Sequence, residues 1–228
     1  MPDPEAQQQL ERAMAKRRAQ GEALQPLSAP QGSRALCQSF WGKAWCRHLE
    51  AHEFYAARLP AGRRLLRQGK VMDLQIAQGE VRGVVAASRL HDCRLHIRPL
   101  EHERWQSVLA KAQGQVGSML ELLSGQLGEA LMQGLTDFEH GIFPLPGELR
   151  GHCDCEDYAD LCPHAFALLH AVGIQLDQQP ELLFTLRGVS ASQLLSQAQQ
   201  NLGQELSQAQ DLGDRNLGQL FGIDLQDS

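Results

Sequence analysis

A cluster of three cysteines and one histidine constrains the fold of this chain more than any other part of its sequence. Cys153 and Cys155 are separated by one residue, and after six further residues Cys162 and His164 are again separated by one. Thiolates and imidazoles are the ligands that zinc prefers, and four of them make a closed tetrahedral site. Alternate side chains of an extended segment point to the same side, so Cys153 and Cys155 can bind one metal from a strand or its turn.

The second pair of ligands is expected at the start of a helix. Residues two apart diverge by about 200° in the middle of a helix, so Cys162 and His164 need the first turn, where Pro163 is also favoured. The segment 165–171 that follows is apolar and helical in character, and Gly173 is a plausible C-cap. These features predict a short ββα zinc unit.

Three other interpretations of the cluster compete with a structural metal site. A coincidental cluster in a core helix would require two cysteines on a strongly acidic, hydrophilic stretch. A disulfide is disfavoured because nothing at the N-terminus resembles a signal peptide, and we therefore expect a reducing compartment. A catalytic zinc keeps one position open for water, whereas four protein ligands leave none. The pattern favours one structural Zn²⁺ ion with four ligands: Cys153, Cys155, Cys162 and His164.

The two ligand pairs, in this order and at this spacing, resemble the SWIM-type zinc finger. Three further stretches are similar to bacterial SWIM zinc-finger family proteins: WGKAWC at 41–46, RLPAGRRLLRQGKVMDLQI at 58–76 and ELLFTLRG at 181–188. The resemblance covers residues 37–190 and the closing LFGIDL at 220–225. It implies a Snf-type helicase as partner, because members of the family are typically encoded beside such helicases. Pro163 stands where many members have a basic residue.

Charged residues are distributed unevenly along the chain. Residues 1–104 hold 17 Lys and Arg against 11 Asp and Glu, whereas residues 105–228 hold 4 against 16, so the net charge of −6 hides a basic and an acidic half. Such an asymmetry indicates two surfaces with different partners. A stretch without acids at 58–70 carries five cations: Arg58, Arg63, Arg64, Arg67 and Lys70. It is either a phosphate-contacting patch or an ordinary solvated face before a strand.

Residues 70–99 predict a meander of three antiparallel strands. Alternating residues mark the strands, and QGE at 78–80 is a short hairpin turn. The first strand is expected to place three apolar side chains on one face: Met72, Leu74 and Ile76. The solvent face is expected to carry three arginines: Arg82, Arg94 and Arg98. If these adjoin the 58–70 patch, they make a basic stripe that suits a nucleic-acid backbone.

A helix rich in tryptophan is predicted before the patch. Trp41, Trp45 and Leu49 lie near helical spacing and are expected to face the core. His48 and His52 lie four apart on the same helix without a third metal ligand, so we expect them at the surface or its boundary. The other cysteines are scattered and are expected to be small buried hydrophobic residues: Cys37, Cys46 and Cys93.

The expected fold class is α+β, with helices packed on a small antiparallel sheet and a ββα SWIM-like zinc finger. Four parts are predicted: a flexible N-terminal arm at 1–33, an α+β domain with the meander at 34–140, a SWIM-like zinc-finger region at 141–190, and a polar tether with a C-terminal segment at 191–228. LFGIDL at 220–225 either docks on a partner or packs back on its own domain.

The sequence favours a binding protein over an enzyme. It has no glycine-rich phosphate loop, no hydrolase elbow and no deaminase motif. No run of 18 apolar residues occurs, so we expect a cytoplasmic protein without a membrane span.

Two functions follow from these patterns. The first is a non-enzymatic accessory factor in DNA transactions that partners a Snf-type helicase. Acidic residues surround the finger and should repel phosphates, so the finger would bind protein while the basic half contacts DNA. The alternative is a protein–protein interaction scaffold with a structural zinc and no nucleic-acid binding.

Overall fold

A four-stranded antiparallel sheet forms one layer of the molecule. The structure is a computed structural model that describes residues 4–27, 29–30, 35–112, 124–126, 129–157, 159–194 and 196. The strands follow the order β1-β2-β3-β4 across the sheet: β1 Val71–Ala77, β2 Glu80–Ala86, β3 Leu90–Ile97 and β4 Leu149–Cys153. The first three make the meander predicted from the sequence, and the α+β class is confirmed.

Helices surround this sheet. Seven α-helices lie in the described part of the chain: α1 Pro4–Ala19, α2 Phe40–Ala51, α3 Leu59–Arg67, α4 His102–Lys111, α5 Glu129–Leu135, α6 Pro163–Gln178 and α7 Leu182–Arg187. Two 3₁₀ turns connect elements, at Glu53–Tyr55 and Pro146–Glu148. None of the helices described combines the length and the apolar character needed to cross a membrane.

The helix α6 is the centre of the core. It contacts all four strands on the inner face of the sheet, and α2 and α3 pack on it. Trp41 and Trp45 are fully buried there as predicted, and the Trp45 indole N–H donates a hydrogen bond to the Leu169 carbonyl at 2.7 Å. Burial of large aromatic and aliphatic side chains is the main stabilising term in such a core.

Gly173 lies inside α6 and does not end it. The helix continues to Gln178, so the predicted C-cap is wrong. A Cβ atom at Gly173 would lie 3.0 Å from the Cys37 sulfur and 3.1 Å from the Trp45 ring. The glycine therefore permits the close approach of α2 and α6.

A β-bulge changes the pattern of β1. The register with β2 shifts between Met72 and Gln75, and Asp73 has a positive φ of 47°. The extra residue turns the second half of the strand over, so Leu74 and Ile76 pack against the main core while Met72 packs on the opposite face. The predicted common face for these three residues is therefore wrong.

Part of the predicted N-terminal arm is folded against the outer face of the sheet. Leu10 of α1 and Leu24 are buried against apolar residues of this face, among them Met72 and Val84. The Asp73 carboxylate accepts the N–H groups of Leu24 and its neighbour at 2.7 and 2.9 Å. Part of the predicted arm thus contacts the sheet, through Leu10, Leu24 and the bulge at Asp73.

The predicted ββα unit contributes one strand where two were expected. Within the described residues between 149 and 162 only β4 is a strand, and its antiparallel partner is β3 of the meander. Side-chain hydrogen bonds, and not a second strand, hold the acidic loop after Cys153. The C-terminal LFGIDL segment at 220–225 lies outside the described residues.

His48 and His52 are buried, whereas the sequence predicts them at the surface or its boundary. Their exposed fractions are 5% and 6%. The Phe138 ring lies 4.3 Å from the His52 ring, and the Phe143 ring lies 5.2 Å from the His48 ring. These aromatic residues come from a distant part of the chain, so local periodicity could not reveal the burial.

Candidate metal centre

The four predicted metal ligands converge at the junction of β4 and α6. Cys153 ends β4, and Cys155 lies in the turn that follows it. Cys162 is the N-cap of α6, and His164 lies in the first turn of that helix. One ligand atom from each residue lies within 4.8 Å of all the others, so this cluster could hold a metal ion.

Two distances between possible ligand atoms involve the same imidazole nitrogen. His164 Nδ1 lies 3.7 Å from the Cys153 sulfur and 3.8 Å from the Cys162 sulfur. One metal ion between these atoms can bind all of them at ordinary bond lengths. The ring nitrogen that faces the sulfurs is therefore Nδ1.

A glycine and an aspartate shape the loop between the two ligand pairs. The Gly151 N–H donates to the Asp160 carbonyl at 3.0 Å, and a Cβ atom at Gly151 would lie only 2.4 Å from that oxygen. Asp157 accepts the Ala159 N–H at 3.0 Å. The loop thereby folds back over β4 and brings Cys162 to the sulfurs of the first pair.

Hydrogen bonds between neighbouring thiols change the acidity of the cluster. The pKa of Cys162 is lowered far below that of an ordinary thiol, first by a hydrogen bond from Cys153 and then by one from Cys93. The Ala165 backbone N–H at the start of α6 lowers it further. Helix N-termini favour thiolates, which are the metal-binding form of cysteine.

Two residues of β3 adjoin the cluster and are not evident from the sequence pattern. The His91 ring stacks on the His164 ring with centroids 4.1 Å apart, and its Nδ1 lies 3.1 Å from a carboxylate oxygen of Asp154. Cys93 is the direct strand partner of Cys153. Only the register of β3 against β4 brings them there.

His91, Cys153 and Asp154 also lie within 4.8 Å of one another as a second possible set of ligands. This set shares Cys153 with the first. Asp154 is already bound by Arg89, whose Nη1 lies 2.8 Å from the carboxylate. His91 thus packs on the His164 ring and restricts its orientation, while Asp154 holds His91 in place.

The predicted cations at 58–70 lie on and around α3. Arg58 and Arg63 each form an ion pair, with Asp157 at 3.5 Å and with Glu50, respectively. Arg64 and Arg67 are exposed on α3, and Lys70 directly precedes β1. Arg63, Arg64 and Arg67 thus lie on one helix, with Arg58 at its N-cap and Lys70 beyond its end.

The arginines of the sheet lie elsewhere. Arg94 is exposed on the outer face and pairs with Glu80 at 3.1 Å, and Arg98 is exposed just after β3. Because α3 packs on α6 and α6 covers the inner face, the body of the molecule separates Arg94 from the cations of α3. The two groups do not form the single stripe considered from the sequence.

Most of the acids near the cluster are paired with cations. Asp154 binds Arg89 and His91, Asp157 binds Arg58, and Glu148 is buried against Arg187. The loop is therefore less repulsive to phosphates than its composition indicates.

A cavity of about 290 Å³ lies beside the loop between Cys153 and Cys162. Apolar side chains such as Tyr55 and Phe166 line it together with charged residues: Arg58, Arg150 and Asp160. Phe54 at its rim is 89% exposed. Exposed aromatic rings are enriched in surfaces that bind another protein.

Comparisons with known proteins leave the chain without a family. No family model matches the sequence, and no solved structure matches it. The chain is 28% identical over 165 residues to an uncharacterized protein of Mycobacterium tuberculosis, Rv2102. The match covers 71% of this chain and 59% of that protein, so the chain spans about three-fifths of its relative's length.

Proposed function

We propose that this chain is a zinc-binding accessory protein in DNA transactions, with one structural Zn²⁺ and a SWIM-like zinc finger. A Snf-type helicase is the proposed partner, and cations of the N-terminal half are the proposed DNA contact. The observation that carries the proposal is the convergence of Cys153, Cys155, Cys162 and His164 on one point.

The separations between ligand atoms support zinc as the metal. Bonds of about 2.3 Å to sulfur and about 2.05 Å to nitrogen, at the tetrahedral angle, would place sulfur and nitrogen about 3.6 Å apart. The observed distances from His164 Nδ1 are 3.7 and 3.8 Å. Three thiolates and one imidazole are also a common donor set of structural zinc.

A structural role follows from the number of ligands. All four tetrahedral positions would be occupied by side chains, which leaves no position for water or substrate. The ion would join the end of β4 to the start of α6 and so fix the helix around which the core is built. We therefore propose a binding protein and not an enzyme.

The exposed face of α3 is the best candidate for DNA contact. Leu59 and Leu66 anchor the helix in the core, and Arg64 and Arg67 point outward. In the part of the chain that the structure describes, no acidic side chain pairs with Arg64. Cations at this spacing on one helix face suit a phosphate backbone, without reading its sequence.

DNA binding measured at two salt concentrations tests this proposal. We expect the zinc-loaded protein to bind labelled duplex DNA more weakly as salt rises. The double substitution Arg64→Gln with Arg67→Gln should lower affinity and reduce the slope of log K against log salt by about 0.9 per lost contact.

The control changes the same charge elsewhere. Arg94→Gln with Arg98→Gln removes two exposed arginines at the sheet, so an equal effect there would contradict a specific role for α3. If a protein with about one zinc per chain binds neither DNA nor the helicase, the proposed function is rejected.

The second candidate is a protein–protein scaffold without DNA contact. The exposed Phe54 at the rim of a cavity favours it. If DNA binding is absent at low salt while the purified helicase still binds, Phe54→Ser should weaken that complex, and the scaffold replaces the first candidate.

A further inference from the structure

Cys37 and Cys46 form a thiol pair that the metal centre does not use. Cys37 precedes α2 and Cys46 lies within it, and their sulfur atoms are 3.4 Å apart. Cys37 is 2% exposed, whereas Cys46 is partly exposed. The sequence suggests two separate hydrophobic residues, and the structure instead joins them through their sulfurs.

The surroundings hold the two sulfurs together. A Cβ atom at Gly173 of α6 would lie 3.0 Å from the Cys37 sulfur and 3.2 Å from the Cys46 sulfur, so the glycine leaves room for both. Asp177 accepts the N–H groups of Gln38 and Ser39 at 2.7 and 2.9 Å. The segment that carries Cys37 is thereby fixed against α6.

The two thiols differ in acidity. The pKa of Cys46 is lowered, first by the hydrogen bond from Cys37 and then by the nearby His170 and Arg63. The pKa of Cys37 is raised by the same hydrogen bond, by burial and by Asp177. The lowered pKa and the greater exposure make Cys46 the more readily ionised and more accessible thiol of the pair, and the thiolate is the nucleophilic form.

We propose that Cys37 and Cys46 are an oxidisable dithiol that reacts with hydroperoxides and closes to a disulfide. The Cys46 thiolate attacks the terminal peroxide oxygen, the O–O bond breaks, and the alkoxide leaves and takes up a proton. This step oxidises Cys46 to a sulfenic acid. The Cys37 thiol then displaces its hydroxyl group, so that an S–S bond forms and water leaves.

The geometry requires little movement for the second step. An S–S bond is about 2.05 Å long, so the two sulfurs must approach by about 1.4 Å from their separation of 3.4 Å. The bond would link the segment before α2 to the helix itself. The thiol pair shares no residue with the proposed zinc ligands or with Arg64 and Arg67 of α3.

Peptide mapping after oxidation tests the proposal. The zinc-loaded full chain is treated with cumene hydroperoxide, remaining thiols are alkylated under denaturing conditions with a chelator, and cross-linked peptides are identified by mass. We expect a linked peptide pair containing Cys37 and Cys46, with a loss of two hydrogen atoms. Zinc should stay bound during the oxidation, before the chelator is added, and Cys153, Cys155 and Cys162 should then be found alkylated.

Two variants separate the steps. Cys46→Ser should react at least about tenfold more slowly, because it lacks the thiolate. Cys37→Ser should stop at a sulfenic acid on Cys46 that dimedone traps. Each variant is first checked for its zinc content and its melting temperature.

Three outcomes would overturn the proposal. The first is a disulfide among Cys153, Cys155 and Cys162 while Cys37 and Cys46 are still reduced. The second is release of zinc before the bond between Cys37 and Cys46 forms. The third is an unchanged rate of reaction with the hydroperoxide in Cys46→Ser. If a serine variant fails to fold, the peptide map of the oxidised wild-type chain tests the proposal by itself, because it identifies the cysteines that are joined.

Discussion

Cys93 and Cys162 carry the same functional group and exchange a hydrogen bond, yet only Cys162 belongs to the four-ligand set. Their positions explain the difference. Cys162 caps α6 and faces His164, whereas Cys93 is buried in β3 behind Cys153. A thiol beside a metal cluster is thus not a ligand unless its sulfur can reach the common point.

This difference predicts contrasting metal contents for two serine variants. Cys162→Ser should lose zinc and unfold at a much lower temperature, because structural zinc contributes folding free energy on the order of 10 kcal/mol. Cys93→Ser removes a neighbouring thiol of the same size and should keep about one zinc per chain. Zinc content by elemental analysis and thermal melting check both results.

Either of two results would contradict the assignment. A Cys162→Ser protein with full zinc content would remove this thiol from the ligand set. A Cys93→Ser protein without zinc would show that Cys93 is needed to bind the metal.

The cluster that could hold a metal ion could be predicted from the sequence, whereas its neighbours from β3 could not. Its four residues lie close together along the chain, so their spacing alone indicates a possible metal site. His91 reaches Asp154 from 63 positions away. Its place depends on the register of β3 against β4, which no local pattern encodes.

A buried ion pair ties α7 to the rest of the core. The Arg187 side chain is fully buried, and its Nη2 donates to both carboxylate oxygens of Glu148 at 3.2 and 3.0 Å. Its Nη1 donates to the Arg98 carbonyl at 2.6 Å. Burial lowers the pKa of Arg187, and the charge of Glu148 opposes that shift.

We predict that Glu148→Gln destabilises the protein by about 3–5 kcal/mol, because it leaves the Arg187 guanidinium buried without a compensating charge. The same substitution at Glu80, whose partners Arg82 and Arg94 are about half exposed, should cost much less. Denaturant unfolding of the two variants measures the difference. Equal losses in the free energy of unfolding would show that the buried ion pair contributes no more than the exposed one.

Elements with regular periodicity were predictable, and their irregularities were not. The meander follows from alternation, but the bulge at Asp73 depends on the contact of its carboxylate with Leu24 and Gln25. Likewise α6 continues past Gly173, where packing against Cys37 and Trp45 outweighs the tendency of glycine to end a helix.

The molecule as a whole is organised along α6. Cys162 and His164 place the candidate metal centre at its start, Gly173 faces the thiol pair, and Asp177 near its end binds Ser39, the N-cap of α2. All four strands contact the same helix. Changes at its two ends should therefore act on a single unfolding transition of the described core.

His48 should make the stability of this core depend on pH. Burial lowers the pKa of His48 from 6.5 to about 4, and the nearby charges of His52, Arg104 and Arg187 add to this while the Pro144 carbonyl opposes it. Below its ordinary pKa of 6.5 the unfolded chain takes up a proton here before the folded chain does. Stability is therefore complete above pH 6.5, falls towards pH 4 and levels off below it.

The pKa shift corresponds to a loss of about 3 kcal/mol across this window. Acid also protonates other groups of the chain, so the informative quantity is the difference between the wild type and His48→Gln, in which glutamine keeps a donor for the Pro144 carbonyl. We expect urea unfolding, followed by tryptophan fluorescence, to show a shallower pH dependence in His48→Gln. His96→Gln at an exposed position of β3 is the matched control and should retain the wild-type slope. Parallel curves for all three proteins would mean that another group governs the acid sensitivity, because His48 is then not the site of differential proton uptake.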